Sequence, residues 1–207
     1  MIVVFDNDVV QKLATLGLLT EAVAAIGAAE CHVLSTCRFK LQINNPEKGR
    51  KKLGDEVFDR IKSFLDDTKR IENDNLVGLD VAANAALGVD PGELQLFAFT
   101  AKTAGALLVT GDKRALFGAM SAPDCAPLIA AVAGRVVCFE QVLDLLLETT
   151  GFVTVHAKAA AVPEVDKVVR AVFSAVATEQ DVREGLASYI RDIRGKTGAL
   201  LRPPAVP

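Results

Sequence analysis

Apolar residues alternate between short runs and longer stretches at helical spacing. Ile2 to Phe5 is a short apolar strand that ends in Asp6-Asn7-Asp8. Val9, Val10, Leu13, Leu16 and Leu19 follow on one helical face. Thr20 is placed to cap a second helix through about Ala29, with Val23 and Ile26 inward. Cys31 to Leu34 reads as a second strand, and Ser35 or Thr36 as the cap of a helix reaching about Ile43. Asn44 to Gly54 is polar and reads as a connection. Asp55 to Asp67 is a helix with Val57, Phe58, Ile61, Phe64 and Leu65 on one side. Glu72 to Asn75 reads as loop and Leu79 to Leu87 as a short helix.

The stretch from Asp90 to Leu116 carries the most information. Leu94, Phe97, Ala98 and Ala101 make an amphipathic helix, with Asp90, Pro91 and Glu93 where an N-cap, a first helical residue and a capping-box acid belong. Gly105 closes the helix, Ala106 to Thr110 is a buried strand, and Gly111-Asp112 turns into another helix. Ser121 to Pro127 reads as loop, Arg135 to Phe139 as a strand and Glu140 to Glu148 as a helix. This order predicts an α/β fold, a parallel sheet sandwiched by helices.

After Gly151 the pattern is helical only. Pro163 opens a helix through Val165, Val168, Val169, Val172, Phe173 and Val176, and Thr178 caps another with Val182, Leu186, Ile190 and Ile193. The valine stripe suits core or an interface between copies, in a homo-oligomer. Residues 1–150 are thus read as one α/β domain and 151–207 as a helical extension ending in a frayed tail from Arg202.

Element lengths place the acids. A dozen helical residues at ~1.5 Å cover about 18 Å, and five strand residues at ~3.3 Å cover about 17 Å. Glu93 at the helix start and Asp112 at the strand end should therefore share one edge. Asp6 also stands beyond a strand end, where sites form in open parallel sheets. Three such carboxylates repel unless a cation lies between them, and hard oxygen ligands suit Mg²⁺ or Mn²⁺. Taken singly, Asp6, Asp8, Asp90 and Asp112 each also fit a helix N-cap.

Composition narrows the class. Hydrophobic residues make up 51% of the chain, enough for a well-buried core. A net charge of -3 gives no overall basic field, so a nucleic-acid site would be a local patch. Cys31, Cys37, Cys125 and Cys138 show no Cys-x-x-Cys pairing, which suits buried free thiols in a reducing cytoplasm. With no basic-then-apolar leader and no uninterrupted apolar run of about 18 residues, a soluble cytoplasmic protein with no membrane association is expected. His32 and His156 are isolated and read as structural or exposed.

The motif Asp6-Asn7-Asp8-Val9-Val10 after a first strand resembles the opening of the PIN domain family. Gly92-Glu93, the alanine-bearing helix after it, a short strand and Thr110-Gly111-Asp112-Lys113 resemble its later motifs, and the likeness extends over about residues 1–150. It implies a small α/β ribonuclease acting on single-stranded RNA, often the toxin of a toxin–antitoxin pair with an antitoxin protein as partner. By position, Asp6, Glu93 and Asp112 would be catalytic and metal-binding, with Mg²⁺ or Mn²⁺ as cofactor. The family usually carries an acid late in the helix after the second strand, where this chain has Lys40, and Asp8 would supply a replacement carboxylate. Arg38, Lys40, Lys113 and Arg114 would engage phosphates, and the Lys48 to Lys52 cluster would track the backbone. With no Trp and one Tyr, base stacking would fall to Phe or Arg.

Two rivals share these residues. Val3 to Val10 also looks like the first motif of haloacid-dehalogenase-type phosphatases, with Asp6 as nucleophile, Asp8 as general acid, and Thr36 and Gly111-Asp112 in later motifs. That family follows its first motif with a short hairpin, whereas Val9 to Leu19 reads as helix, and Leu116 stands where a later acid is usual. Alternatively, Lys40 marks a catalytically degenerate PIN-like binding protein.

Overall fold

The computed structural model describes residues 1–72 and 81–204. The chain runs β1 (Ile2–Phe5), α1 (Asn7–Thr15), α2 (Leu19–Ile26), β2 (Glu30–Leu34), α3 (Cys37–Lys40), α4 (Pro46–Leu53), α5 (Asp55–Asp66) and β3 (Lys69–Ile71). It continues with α6 (Val81–Ala86), α7 (Pro91–Lys102), β4 (Leu107–Thr110), α8 (Lys113–Ser121), a 3-10 turn at Pro123–Cys125, α9 (Ala126–Ala131), β5 (Val136–Cys138) and α10 (Phe139–Thr149). The last part holds α11 (Phe152–Ala160), a 3-10 turn at Pro163–Val165, α12 (Lys167–Val172), α13 (Glu179–Thr197) and a 3-10 turn at Gly198–Leu200.

The five strands form one all-parallel sheet in the order β3-β2-β1-β4-β5. The runs are uniformly apolar, yet alternate residues part to opposite faces, as the strand period requires. Val3, Phe5, Leu107, Val109 and Val137 enter one core with α1, α2, α5 and α10, whereas Val4, Leu34, Leu108 and Val136 enter the other with α7 and α8. The helices on both faces are therefore a consequence of two-sided strands. No helix among the described residues is long and apolar enough to cross a membrane.

α13 supplies Val182 and Leu186 to the first core and Ile193 to the second, so the C-terminal part packs onto the sheet. Beyond it, Leu201 forms a parallel bridge to Val136, and the Arg202 amide donates to the Val136 carbonyl at 2.6 Å. This covers the outer edge of β5, an edge that would otherwise present unpaired backbone groups. The tail from Arg202 is thus pinned at its start rather than frayed there.

Several local expectations need correction. Thr20 lies inside α2, whose N-cap is Leu18 and which stops at a left-handed Gly27. The helix after β2 is only four residues long, because Gln42 turns to φ 59. The connection Asn44 to Gly54 contains α4, capped by the Asn45 side chain with Pro46 in its first turn. β3 escaped notice because Lys69 and Arg70 make it a charged edge strand with only Ile71 buried. The stretch Ser121 to Pro127 forms a 3-10 turn and the start of α9, and α11 precedes Pro163. Pro163 opens only that turn, and the helix after it is capped by Asp166 and ends at Phe173. Asn73 to Asn75, Leu79 and Asp80 lie outside the described residues.

Candidate active site at the carboxyl edge of the sheet

Parallel pairing of β1 with β4 aligns Phe5 with Val109, and the Asp6 amide donates to the Val109 carbonyl at 3.0 Å. Asp6 thereby stands beside Thr110. The Thr110 hydroxyl donates to Asp6 Oδ2 at 3.1 Å and accepts from the Asp112 amide at 3.2 Å. One buried threonine thus ties the first acid to the third. Asp112 caps α8, its Oδ1 accepting from the Arg114 and Ala115 amides at 2.8 and 3.1 Å. Asp6 also occupies an N-cap position, but its side chain does not cap α1.

Glu93 arrives from the third element. Its Oε2 accepts from the Asp90 amide at 2.5 Å while Asp90 Oδ1 accepts from the Glu93 amide at 2.8 Å, closing the capping box. With Thr110, Ala115, Leu96, Phe97 and Leu108 it lines a cavity of about 10 Å³, the size of one water. Thr110, which lines this cavity with Glu93, is bonded to Asp6 and Asp112, and the charges of both act on Glu93, so the three carboxyls stand near one another at this edge.

The three carboxyls feel one another. Burial, then the Asp8 and Asp112 charges, push Asp6 from 3.8 up to about 6, against the Thr110 hydrogen bond. Burial, then Asp90, Asp112 and Asp6, push Glu93 from 4.5 up to about 8. Burial also acts upward on Asp112, but the Ala115 and Arg114 amides, and the facing Glu93 carboxyl, outweigh it and hold Asp112 below its ordinary value. Glu93 therefore holds its proton more tightly than an ordinary glutamate, and Asp112 holds one less tightly than an ordinary aspartate.

The other predicted residues sit around this centre. Asp8 turns outward to Lys12 at 2.6 Å, and Lys12 reaches Asp166 of the C-terminal part at 2.6 Å. Gly111 makes room for that pair, since a Cβ there would come 2.7 Å from Asp8 Oδ2. Lys113 pairs with fully buried Glu140 at 2.5 Å, and Arg114 is exposed, 3.5 Å from Asp112 Oδ2. Arg38 is taken by Asp66 at 2.6 Å. Lys40 pairs with Asp90 at 3.6 Å on the rim, and so lies beside the crevice without bridging the three acids. Lys12, Glu140 and Asp166 carry no site signal in the sequence apart from the spacing of Lys12 four residues after Asp8, and Thr110, part of the Thr110-Gly111-Asp112-Lys113 motif, takes a role that the motif alone does not assign.

Among the described residues, no group of three or more His, Cys, Asp and Glu is arranged so that it could hold a metal ion. What the three carboxyls share is the donor type, oxygen, that a hard divalent cation takes, and a proximity that raises the proton affinity of two of them. Set against models of known protein families, curated proteins and solved structures, the chain finds no match, and the reading rests on this geometry and on the motifs.

Proposed function

We propose that the chain is a PIN-like, metal-dependent ribonuclease that hydrolyses phosphodiester bonds in single-stranded RNA. The observation that carries this reading is that Thr110 links Asp6 to Asp112 while Glu93, from a third distant segment, stands close enough to feel both charges. These residues would hold Mg²⁺ or Mn²⁺. Such an ion lowers the pKa of water and offsets charge building on phosphate oxygens. Thr110 fixes the Oδ2 of Asp6 and the α8 cap fixes Oδ1 of Asp112, and Glu93 would have to lose its proton to solvent in order to serve as a ligand. Loading should therefore release protons at pH 7.

The decisive experiment combines calorimetry with MnCl₂ and cleavage of a single-stranded RNA, with and without chelator. Saturable binding with proton release and chelator-sensitive cleavage are expected. The absence of both binding heat and cleavage would sink the proposal. The phosphatase alternative is disfavoured because α1 begins at Asn7, leaving no room for a hairpin after the first motif.

Lys40 decides between an active and a degenerate site, and its position yields a prediction. Lys40→Glu replaces a cation on the rim with an anion. It should tighten Mn²⁺ binding roughly fivefold at low salt, the scale of about 1 kcal/mol for an exposed charge. The gain should shrink as salt is raised. Unchanged affinity in titrations at both salt concentrations would place Lys40 outside the field of the site.

A further inference from the structure

Phe39 is 71% exposed, the most exposed aromatic side chain among the described residues. Its backbone is nevertheless held tightly. The Phe39 carbonyl accepts from the Gln42 amide at 3.0 Å and from Gln42 Nε2 at 3.1 Å, while the Ile43 amide donates to the Arg38 carbonyl at 2.8 Å. These bonds close α3 through Gln42, the one described non-glycine residue at positive φ, in a conformation that glycine adopts more readily. Neighbouring side chains are tied down as well. Cys37 is buried near Asp6, Arg38 is held by Asp66 and Lys40 by Asp90. The phenyl ring alone stands out, on a fixed pedestal.

α4 continues the same lip. Gly49 sits so close that a Cβ would come 2.7 Å from the Gln42 carbonyl and 2.5 Å from the Phe58 ring, so α4 packs flush against the turn carrying Phe39. Its Lys48, Lys51 and Lys52 are exposed, and among the described residues none of the three has an ion pair. The lysines of α1 and the start of α8 are neutralised, Lys12 by Asp8 and Asp166, Lys113 by Glu140. Lys52 Nζ reaches the carbonyl of Lys40 at 3.5 Å, and the Lys40 ammonium pairs with Asp90 beside Glu93, so the unpaired charge of α4 adjoins the rim that carries Phe39.

We propose that α3 and α4 form the track by which a single RNA strand enters the crevice, with Phe39 stacking one base and Lys48, Lys51 and Lys52 holding the phosphates on either side. The position of the track beside Asp6, Glu93 and Asp112 rests on the nuclease reading; the binding itself does not. A single exposed ring next to a helix bearing three unpaired lysines suits alternating base and phosphate, whereas a protein partner would call for a broader apolar patch.

The test measures binding without cutting, in an Asp6→Asn background, by fluorescence anisotropy. The probes are a labelled single-stranded RNA ten-mer and an abasic ribose-phosphate strand of about the same length. Adding Phe39→Ala should weaken RNA binding by between about 5-fold and 100-fold and leave the abasic strand unchanged. Phe39→Trp should restore it. Lys48→Glu with Lys51→Glu should weaken both probes and flatten the salt dependence. The proposal is overturned if Phe39→Ala leaves RNA binding intact, as a protein-docking ring would, or weakens both probes equally, as a structural role would. Phe39-dependent binding in a protein that shows no metal-dependent cleavage would retain the track and discard the nuclease.

Discussion

Asp6→Asn should lower Mn²⁺-dependent RNA cleavage on the order of 10²- to 10³-fold, the usual cost of removing one charge-stabilising group. The same change should stabilise the metal-free protein. In the folded state Asp6 is raised from 3.8 to about 6 and Glu93 from 4.5 to about 8. A carboxyl raised on folding adds stability that is complete below its unfolded pKa and disappears as pH climbs through the folded one. The metal-free protein should therefore lose melting temperature between about pH 4 and pH 8. At pH 8, asparagine removes the buried charge, still accepts from Thr110, and should raise Tm by about 2–4 °C, the shift given by roughly 1 kcal/mol in a protein of this size. Manganese reverses the order. Wild type gains stability by binding the ion, and Asp6→Asn gains little. Melting curves at pH 5 and pH 8, with and without Mn²⁺, check this crossover. Equal gains for both proteins would show that the ion binds elsewhere.

Lys113→Met is expected to be the most damaging substitution for stability next to the site. Glu140 is fully buried in the first turn of α10, and neither carboxylate oxygen has a well-aligned hydrogen bond. The Lys113 ammonium, 2.5 Å away and itself 30% exposed, supplies its countercharge. Removing one partner of a buried pair typically costs 3–5 kcal/mol, and the partial exposure of Lys113 points to about 3 kcal/mol. That corresponds to a fall of about 6–12 °C in Tm. Replacing both partners, Lys113→Met with Glu140→Leu, should recover most of the loss, because no charge is left stranded. A single variant that melts within a degree of wild type would mean that Glu140 has another partner in solution.

These two predictions differ in how far the sequence foretold them. Asp6, Glu93 and Asp112 could be placed on one edge because strand and helix lengths are local quantities, and local rules hold where caps are strong. The Asp90–Glu93 and Thr178–Asp181 capping boxes are both formed. Asn45-Pro46 carries an equally good start signal for α4, but the segment it opens has four basic residues and no apolar stripe, and so reads as a polar connection. Nothing in Leu41-Gln42-Ile43 marks the left-handed residue that cuts α3 short and leaves Phe39 exposed. Lys69-Arg70-Ile71 cannot be read as a strand in isolation, since its pairing with His32 to Leu34 is the only thing that makes it one.

By itself the sequence determined the alternation of strands and helices, the parallel sheet and the shared edge of its three acids, since periodicity, caps and element lengths depend on neighbours within a few turns. Only the tertiary structure decided which charges neutralise which: Lys12 with Asp8 and Asp166, Lys113 with Glu140, Lys40 with Asp90. Apart from the i,i+4 contact of Lys12 with Asp8, those pairings join residues remote in the chain. Their strength depends on burial, which no local pattern encodes.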